Sequence, residues 1–164
     1  MFRRFSLLAV PFVLGAVVAA LVGLAHGALG DAECKDVSGT LTSTANFGNF
    51  TTQGTISGSL EGSTFFTGDV HSLAPVTSSS SPPLNPTDAY TGDLAITTKK
   101  GVLETRSVGV FELVPNGFGT QFDRVLGGHS TGKFSGATGH LSFSFRSDAT
   151  GSAFTSTYTG QICS

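Results

Sequence analysis

The chain of 164 residues contains no tryptophan, one methionine and two cysteines, and only 12% of its residues are charged. Cysteine or histidine pairs at metal-ligand spacing are missing, which argues against a metal site, and no cofactor-binding motif suggests one. The net charge of −2 provides no basic excess with which to bind nucleic acid. After residue 35 no long stretch has helical periodicity, so a helical fold is disfavoured.

The apolar run at the N-terminus has the features of a targeting segment. Arg3 and Arg4 precede an almost uncharged stretch, and Ala25-His26-Gly27 places small residues where a signal peptidase cleaves. We therefore predict a signal peptide over residues 1–27 and one domain over residues 28–164, which is secreted or periplasmic. If the segment stays uncleaved, it is nearly long enough to span a bilayer and would tie the protein to a membrane.

The two cysteines, Cys34 and Cys163, stand close to the two ends of the predicted mature domain. In an oxidising compartment this placement predicts a disulfide that joins the termini. Two free, buried thiols are the alternative.

Most of the remaining chain alternates with a period of two, as strands with one buried face do. The pattern is plainest where Thr52, Gly54, Ile56, Gly58 and Leu60 alternate with polar neighbours. About eight such segments, separated by Gly-rich turns, predict an all-β, closed antiparallel barrel, with a β-sandwich as the alternative. The barrel is favoured because the disulfide brings the first and last strands together and because closure removes exposed edges.

Glycines recur on the predicted inner face, and their role has two interpretations. They bend the strands so that a small barrel can close, or they leave interior volume for one small ligand. The residues concerned are Gly39, Gly54, Gly58, Gly68, Gly92 and Gly160.

Three polar residues with inward parity are candidates for ligand binding. Arg124 shares its parity with Phe122 and Leu126, and a buried arginine needs a partner or a polar pocket. Tyr90 and Tyr158 also lie on apolar faces, where their hydroxyls could orient a ligand or satisfy backbone groups.

Other motifs have simpler structural interpretations. Ser130 occupies the centre of a Gly-x-Ser-x-Gly match, but a strand rather than a helix follows, so we expect a turn serine and not a nucleophile. Asn49-Phe50-Thr51 is a glycosylation sequon, which has meaning only in a eukaryotic host.

The segment Gly127-Gly128-His129-Ser130-Thr131-Gly132-Lys133-Phe134-Ser135-Gly136-Ala137-Thr138-Gly139 resembles the glycine-rich turn of allene oxide cyclase and dirigent-like barrels, with two additional residues after the glycine pair. The resemblance covers about a dozen residues and no catalytic residue. It implies an eight-stranded barrel with an apolar cavity, assembled as a trimer, that acts on oxylipins or directs phenolic coupling.

Two functions remain. The first is a non-enzymatic, secreted barrel that binds a small apolar ligand or presents its Ser/Thr-rich surface to partners; it is favoured because no acid–base pair, nucleophile set or metal cluster stands out. The second is a cyclase-like or dirigent-like protein in which Arg124, Tyr90 and Tyr158 orient a reactive intermediate.

Overall fold

The computed structural model describes residues 33–72, 87–112 and 114–164. The predicted signal peptide over residues 1–27 lies outside the described residues. Within the described ranges, no helix is long and apolar enough to cross a membrane.

Eight antiparallel strands form a closed barrel in which each strand pairs with its sequence neighbours and β1 pairs with β8. The barrel prediction is confirmed, and the β-sandwich alternative is wrong. The strands are β1 (Cys34–Asn46), β2 (Thr51–Gly58), β3 (Gly62–Ser72), β4 (Thr87–Thr98), β5 (Gly101–Glu112), β6 (Phe118–Val125), β7 (Thr138–Ser147) and β8 (Ala153–Cys163).

The predicted disulfide is present and lies at the seam of the barrel. Cys34 is directly opposite Cys163 in the β1–β8 register, and the bond joins positions 129 residues apart in the sequence. The first and last strands are thus held together by a covalent bond as well as by a full ladder of backbone hydrogen bonds.

One end of the barrel, which we call the closed end, is filled with side chains. It contains the termini and the β2–β3, β4–β5 and β6–β7 connections. Leu60 from the first of these connections and Phe134 and Ala137 from the last belong to the buried core, together with inward residues of the strands. The core therefore occupies the closed end, and the opposite end, which we call the mouth, is the part of the barrel that remains to be examined for a site.

The glycine-rich turn between β6 and β7 seals the closed end. Gly132 and Gly136 have φ angles of 59° and 76°, a left-handed region that favours glycine. Between them Phe134 points into the core, as predicted. The hydroxyl of Ser130 donates to the Leu126 carbonyl and accepts the N–H of Glu104, both at 3.0 Å, so Ser130 is a structural turn residue.

The inward glycines are covered by aromatic rings from neighbouring strands. A Cβ atom at Gly109 would overlap the ring of Tyr90, and one at Gly119 would overlap the ring of Phe145. Gly39 is covered in the same way by Tyr158. At these positions the space that glycine leaves is therefore occupied by a ring, so glycine determines where each aromatic side chain can lie.

Candidate functional site

The mouth of the barrel contains a cavity of about 110 Å³. Its walls are mainly aromatic, with Phe47 and Phe50 of the β1–β2 turn at the rim. Six aromatic side chains from the strands line it: Phe66, Tyr90, Phe111, Phe143, Phe145 and Phe154. Such a lining, which is apolar with few polar groups, is typical of small-molecule sites.

Ring-to-ring packing fixes the position of Tyr90 on the cavity wall. Its ring meets those of Phe66 and Phe111 edge to face, each with centroids 5.7 Å apart. Behind it, Gly109 provides the space that the ring needs. The wall is therefore formed before any ligand arrives, which lowers the entropy that binding must overcome.

A chain of hydrogen bonds runs from the cavity wall into the barrel. The hydroxyl of Tyr90 donates to Oε1 of Gln121 at 2.7 Å. Nε2 of Gln121 donates to Oδ1 of Asp123 at 2.8 Å and to the Ser107 hydroxyl at 3.2 Å. The Thr105 hydroxyl donates to Oδ2 of Asp123 at 2.7 Å. Tyr90 and Gln121 line the cavity, while the other three residues lie behind them.

Asp123 is the buried acid of this network, with 0% of its surface exposed. In the described part of the chain no cationic side chain forms an ion pair with it. Burial raises the pKa of Asp123, and the hydrogen bonds from Thr105, Gln121 and Ser107 oppose that rise. Burial and the nearby charge of Asp123 likewise raise the pKa of Tyr90, so the phenol stays protonated and acts as a hydrogen-bond donor.

Replacing Asp123 by asparagine should change how stability depends on pH. Because the folded protein binds the Asp123 proton more tightly than the unfolded chain does, this group destabilises the fold increasingly as pH rises from about 3.8 through the raised pKa. In Asp123→Asn the amide can still accept from Gln121 and donate to Thr105, whose hydroxyl also reaches the Leu94 carbonyl at 3.3 Å. We expect the variant to gain stability over the parent across this window, measured by urea unfolding at a series of pH values. Parallel curves for the two proteins would contradict the placement of a titrating, buried Asp123.

Of the two candidate tyrosines, Tyr158 is buried at the closed end and does not line the cavity. Its oxygen accepts the backbone N–H of Leu60 at 2.9 Å and donates to the Ser57 carbonyl at 3.2 Å. These contacts connect β8 to the β2–β3 turn, so the hydroxyl satisfies backbone groups.

The variant Tyr158→Phe should therefore affect stability and leave the cavity intact. Losing the hydroxyl leaves the buried Leu60 N–H without an acceptor, which costs about 1–3 kcal/mol. Equilibrium urea unfolding measures the loss. An unchanged unfolding midpoint would show that the Leu60 contact contributes nothing.

The predicted inward orientation of Arg124 is wrong, because its side chain is exposed on the outer face of β6. The register with β5 sets this orientation: Asp123 lies opposite Ser107, whose side chain points inward, so the residues on either side of Asp123 must point outward. Phe122 is accordingly 50% exposed. Arg124 is opposite His140 on β7, away from the cavity.

The sequence interpretation missed Gln121 and Asp123 because the hydrophobic pattern of β6 is inverted. Its aromatic residues, Phe118 and Phe122, face solvent, while its amide and carboxyl side chains face inward. Gly119 was the available signal, since it shares the parity of Gln121 and Asp123 and glycines mark the inner face elsewhere in this chain.

The described histidines do not assemble into a metal site. In residues 33–72, 87–112 and 114–164, no group of three or more His, Cys, Asp or Glu side chains is placed to hold a metal ion. His140 instead stacks on Phe122 at the outer surface, with ring centroids 5.7 Å apart.

Comparisons with known proteins give no relative: no family model, no curated protein and no solved structure matches the chain. What defines the class of protein is therefore the fold and the site, a disulfide-closed eight-stranded barrel with an aromatic cavity at its mouth.

Proposed function

We propose that this protein is exported and that it binds one small, mainly apolar molecule in the cavity at the mouth, without a covalent step. The observation that carries the proposal is the contrast between the two ends of the barrel: one is filled by the core, and the other is an aromatic-walled cavity. The disulfide supports export because such bonds persist in oxidising compartments.

The size of the cavity limits the ligand. An apolar cavity of about 150 Å³ accommodates a benzene molecule. The cavity here, at about 110 Å³, is of similar size and opens at the mouth. We therefore expect a ligand whose buried part is about one ring in size, and any larger portion of it would extend beyond Phe47 and Phe50 at the rim.

Cyclase-like or dirigent-like chemistry is the second candidate, and the polar Tyr90–Gln121 pair on the cavity wall is the observation that favours it. It has less support than binding because only one of its three expected residues lines the cavity. Arg124 faces solvent, and Tyr158 is engaged with backbone groups at the closed end. Asp123 does not contact the cavity directly, since Gln121 lies between them.

A blocking variant tests the binding proposal. Ser156 is buried on β8 and lines the cavity, so Ser156→Phe should fill the space that a ligand would occupy. Its neighbour Thr157 faces outward, and Thr157→Phe is the matched control. Ligand-detected NMR titration with methylcyclohexane measures binding to each protein.

We expect saturable binding of methylcyclohexane to the parent and to Thr157→Phe, and none to Ser156→Phe. At a ligand concentration about 100 times Kd, binding should also stabilise the parent by about 2.7 kcal/mol. No saturable binding by the parent, or equal binding by the parent and Ser156→Phe, would refute the proposal.

A further inference from the structure

The polar groups on the cavity wall have already used their hydrogen-bond donors. Both N–H groups of the Gln121 amide are engaged, one by Asp123 and one by Ser107. The hydroxyl proton of Tyr90 is engaged by Oε1 of Gln121. What remains is one lone pair on the Tyr90 oxygen and one on Oε1 of Gln121, because each oxygen accepts two hydrogen bonds. This part of the wall can therefore only accept.

The orientation of the Gln121 amide follows from its neighbours. Asp123 accepts from Thr105 at Oδ2 and from Gln121 at Oδ1, so the amide nitrogen must point at the carboxyl group. The amide oxygen then points toward Tyr90, whose hydroxyl donates to it. Since Thr105 and Asp123 are fully buried, solvent cannot replace these partners, and the network holds the two acceptors in place.

We propose, on the premise that the cavity binds the ligand argued for above, that this ligand is a neutral, one-ring-sized molecule with a hydroxyl or N–H donor, and that the Tyr90–Gln121 pair accepts from it. A carbonyl or carboxylate at the same place would set acceptor against acceptor. In an apolar cavity both groups would then stay unpaired, at a cost well above that of a missing contact in water.

Hydroxyl groups elsewhere in the cavity do not change this selectivity. Ser43 on β1 and Ser156 on β8 also line it. In the strand order they lie away from Tyr90, since β8 is across the barrel from β4. A serine hydroxyl both donates and accepts, so it serves an alcohol and a ketone equally. Discrimination between the two is therefore assigned to the Tyr90–Gln121 pair.

Three probes with the same ring separate the donor requirement from apolar binding: cyclohexanol, cyclohexanone and methylcyclohexane. Dissociation constants are measured by ligand-detected NMR titration of the parent protein purified from its own host. We expect cyclohexanol to bind at least about fivefold more tightly than cyclohexanone, which corresponds to one unsatisfied buried acceptor pair. Equal affinities for these two probes, with methylcyclohexane still bound, would overturn the donor requirement and leave the proposed binding function standing. No binding of any of the three would overturn both.

The variant Gln121→Leu tests the assignment to this pair. Without the amide, the Tyr90 hydroxyl proton is released and can donate to a ligand. The preference for cyclohexanol should then fall to about equal affinity or reverse in favour of cyclohexanone. Thr120→Leu is the matched control, because this neighbour on β6 faces outward, and it should keep the parent's preference. A preference for cyclohexanol that persists unchanged in Gln121→Leu would contradict the assignment.

Discussion

Replacing Cys34 and Cys163 by serine is expected to lower the free energy of unfolding by up to about 5 kcal/mol. The bond closes a loop with a sequence separation of 129, so its absence returns much conformational entropy to the unfolded chain. In the folded barrel the two residues face each other at the β1–β8 seam, so the serine side chains fit without rearrangement. Urea unfolding in non-reducing buffer measures the difference.

The single variants provide the control for this prediction. Cys34→Ser, Cys163→Ser and the double variant should all lose about the same stability, because each removes the same bond. Additive losses would show that local packing of each side chain, and not the cross-link, is responsible. A double variant that unfolds at the parent's urea concentration would contradict the stabilising role of the disulfide.

The variant Phe143→Ala is expected to cost about 3–5 kcal/mol, which is usual for removing a buried aromatic ring. Phe143 lies at the boundary between the two ends of the barrel, since it belongs to the core and also lines the cavity. Its ring packs against that of Tyr158, with centroids 5.7 Å apart. Removal of the ring therefore weakens the core and also deepens the cavity from below.

Phe65→Ala is the matched control for Phe143→Ala. It makes the same chemical change at a residue that is 45% exposed on the outer face of β3. We expect this control to cost much less than Phe143→Ala, because a partly exposed ring loses less burial. The deepened cavity of Phe143→Ala should also bind decalin, a two-ring hydrocarbon, more tightly than the parent does. Equal unfolding midpoints for Phe143→Ala and Phe65→Ala would show that Phe143 does not divide the filled end from the cavity.

Much of the fold was predictable because period-two patterning and terminal cysteines carry the information directly. In β2, Gly54, Ile56 and Gly58 alternate with polar residues, so the buried face is clear within one strand. The pairing of Cys34 with Cys163 then favoured closure over a sandwich. Each of these inferences depends on local sequence or on one long-range link.

The orientation of β6 could not be read in the same way. The two phenylalanines of this strand face solvent, and a rule that places aromatic residues inside assigns the strand the wrong phase. Pairing with β5 determines the phase, and it brings Gln121 and Asp123 to the inner face. A strand that buries polar groups at the expense of apolar ones is most readily explained by a functional requirement.

The different positions of Tyr90 and Tyr158 show a second limit. Both tyrosines have inward parity and are buried, as the sequence predicted. Their heights along the barrel axis differ, however, so one lines the cavity and the other supports the closed end. Height follows from the stagger of all eight strands, which no single strand encodes. The glycine question has a similar answer, because it depends on which ring lies on the neighbouring strand.

Native mass spectrometry of the protein purified from its own host is the most direct test of the central claim, that the mouth cavity binds a small molecule. The parent and Thr157→Phe should each carry one small molecule that is released on unfolding. Ser156→Phe, in which the added ring occupies the cavity, should carry none. A parent protein without any bound molecule, or the same bound mass on Ser156→Phe, would contradict the account.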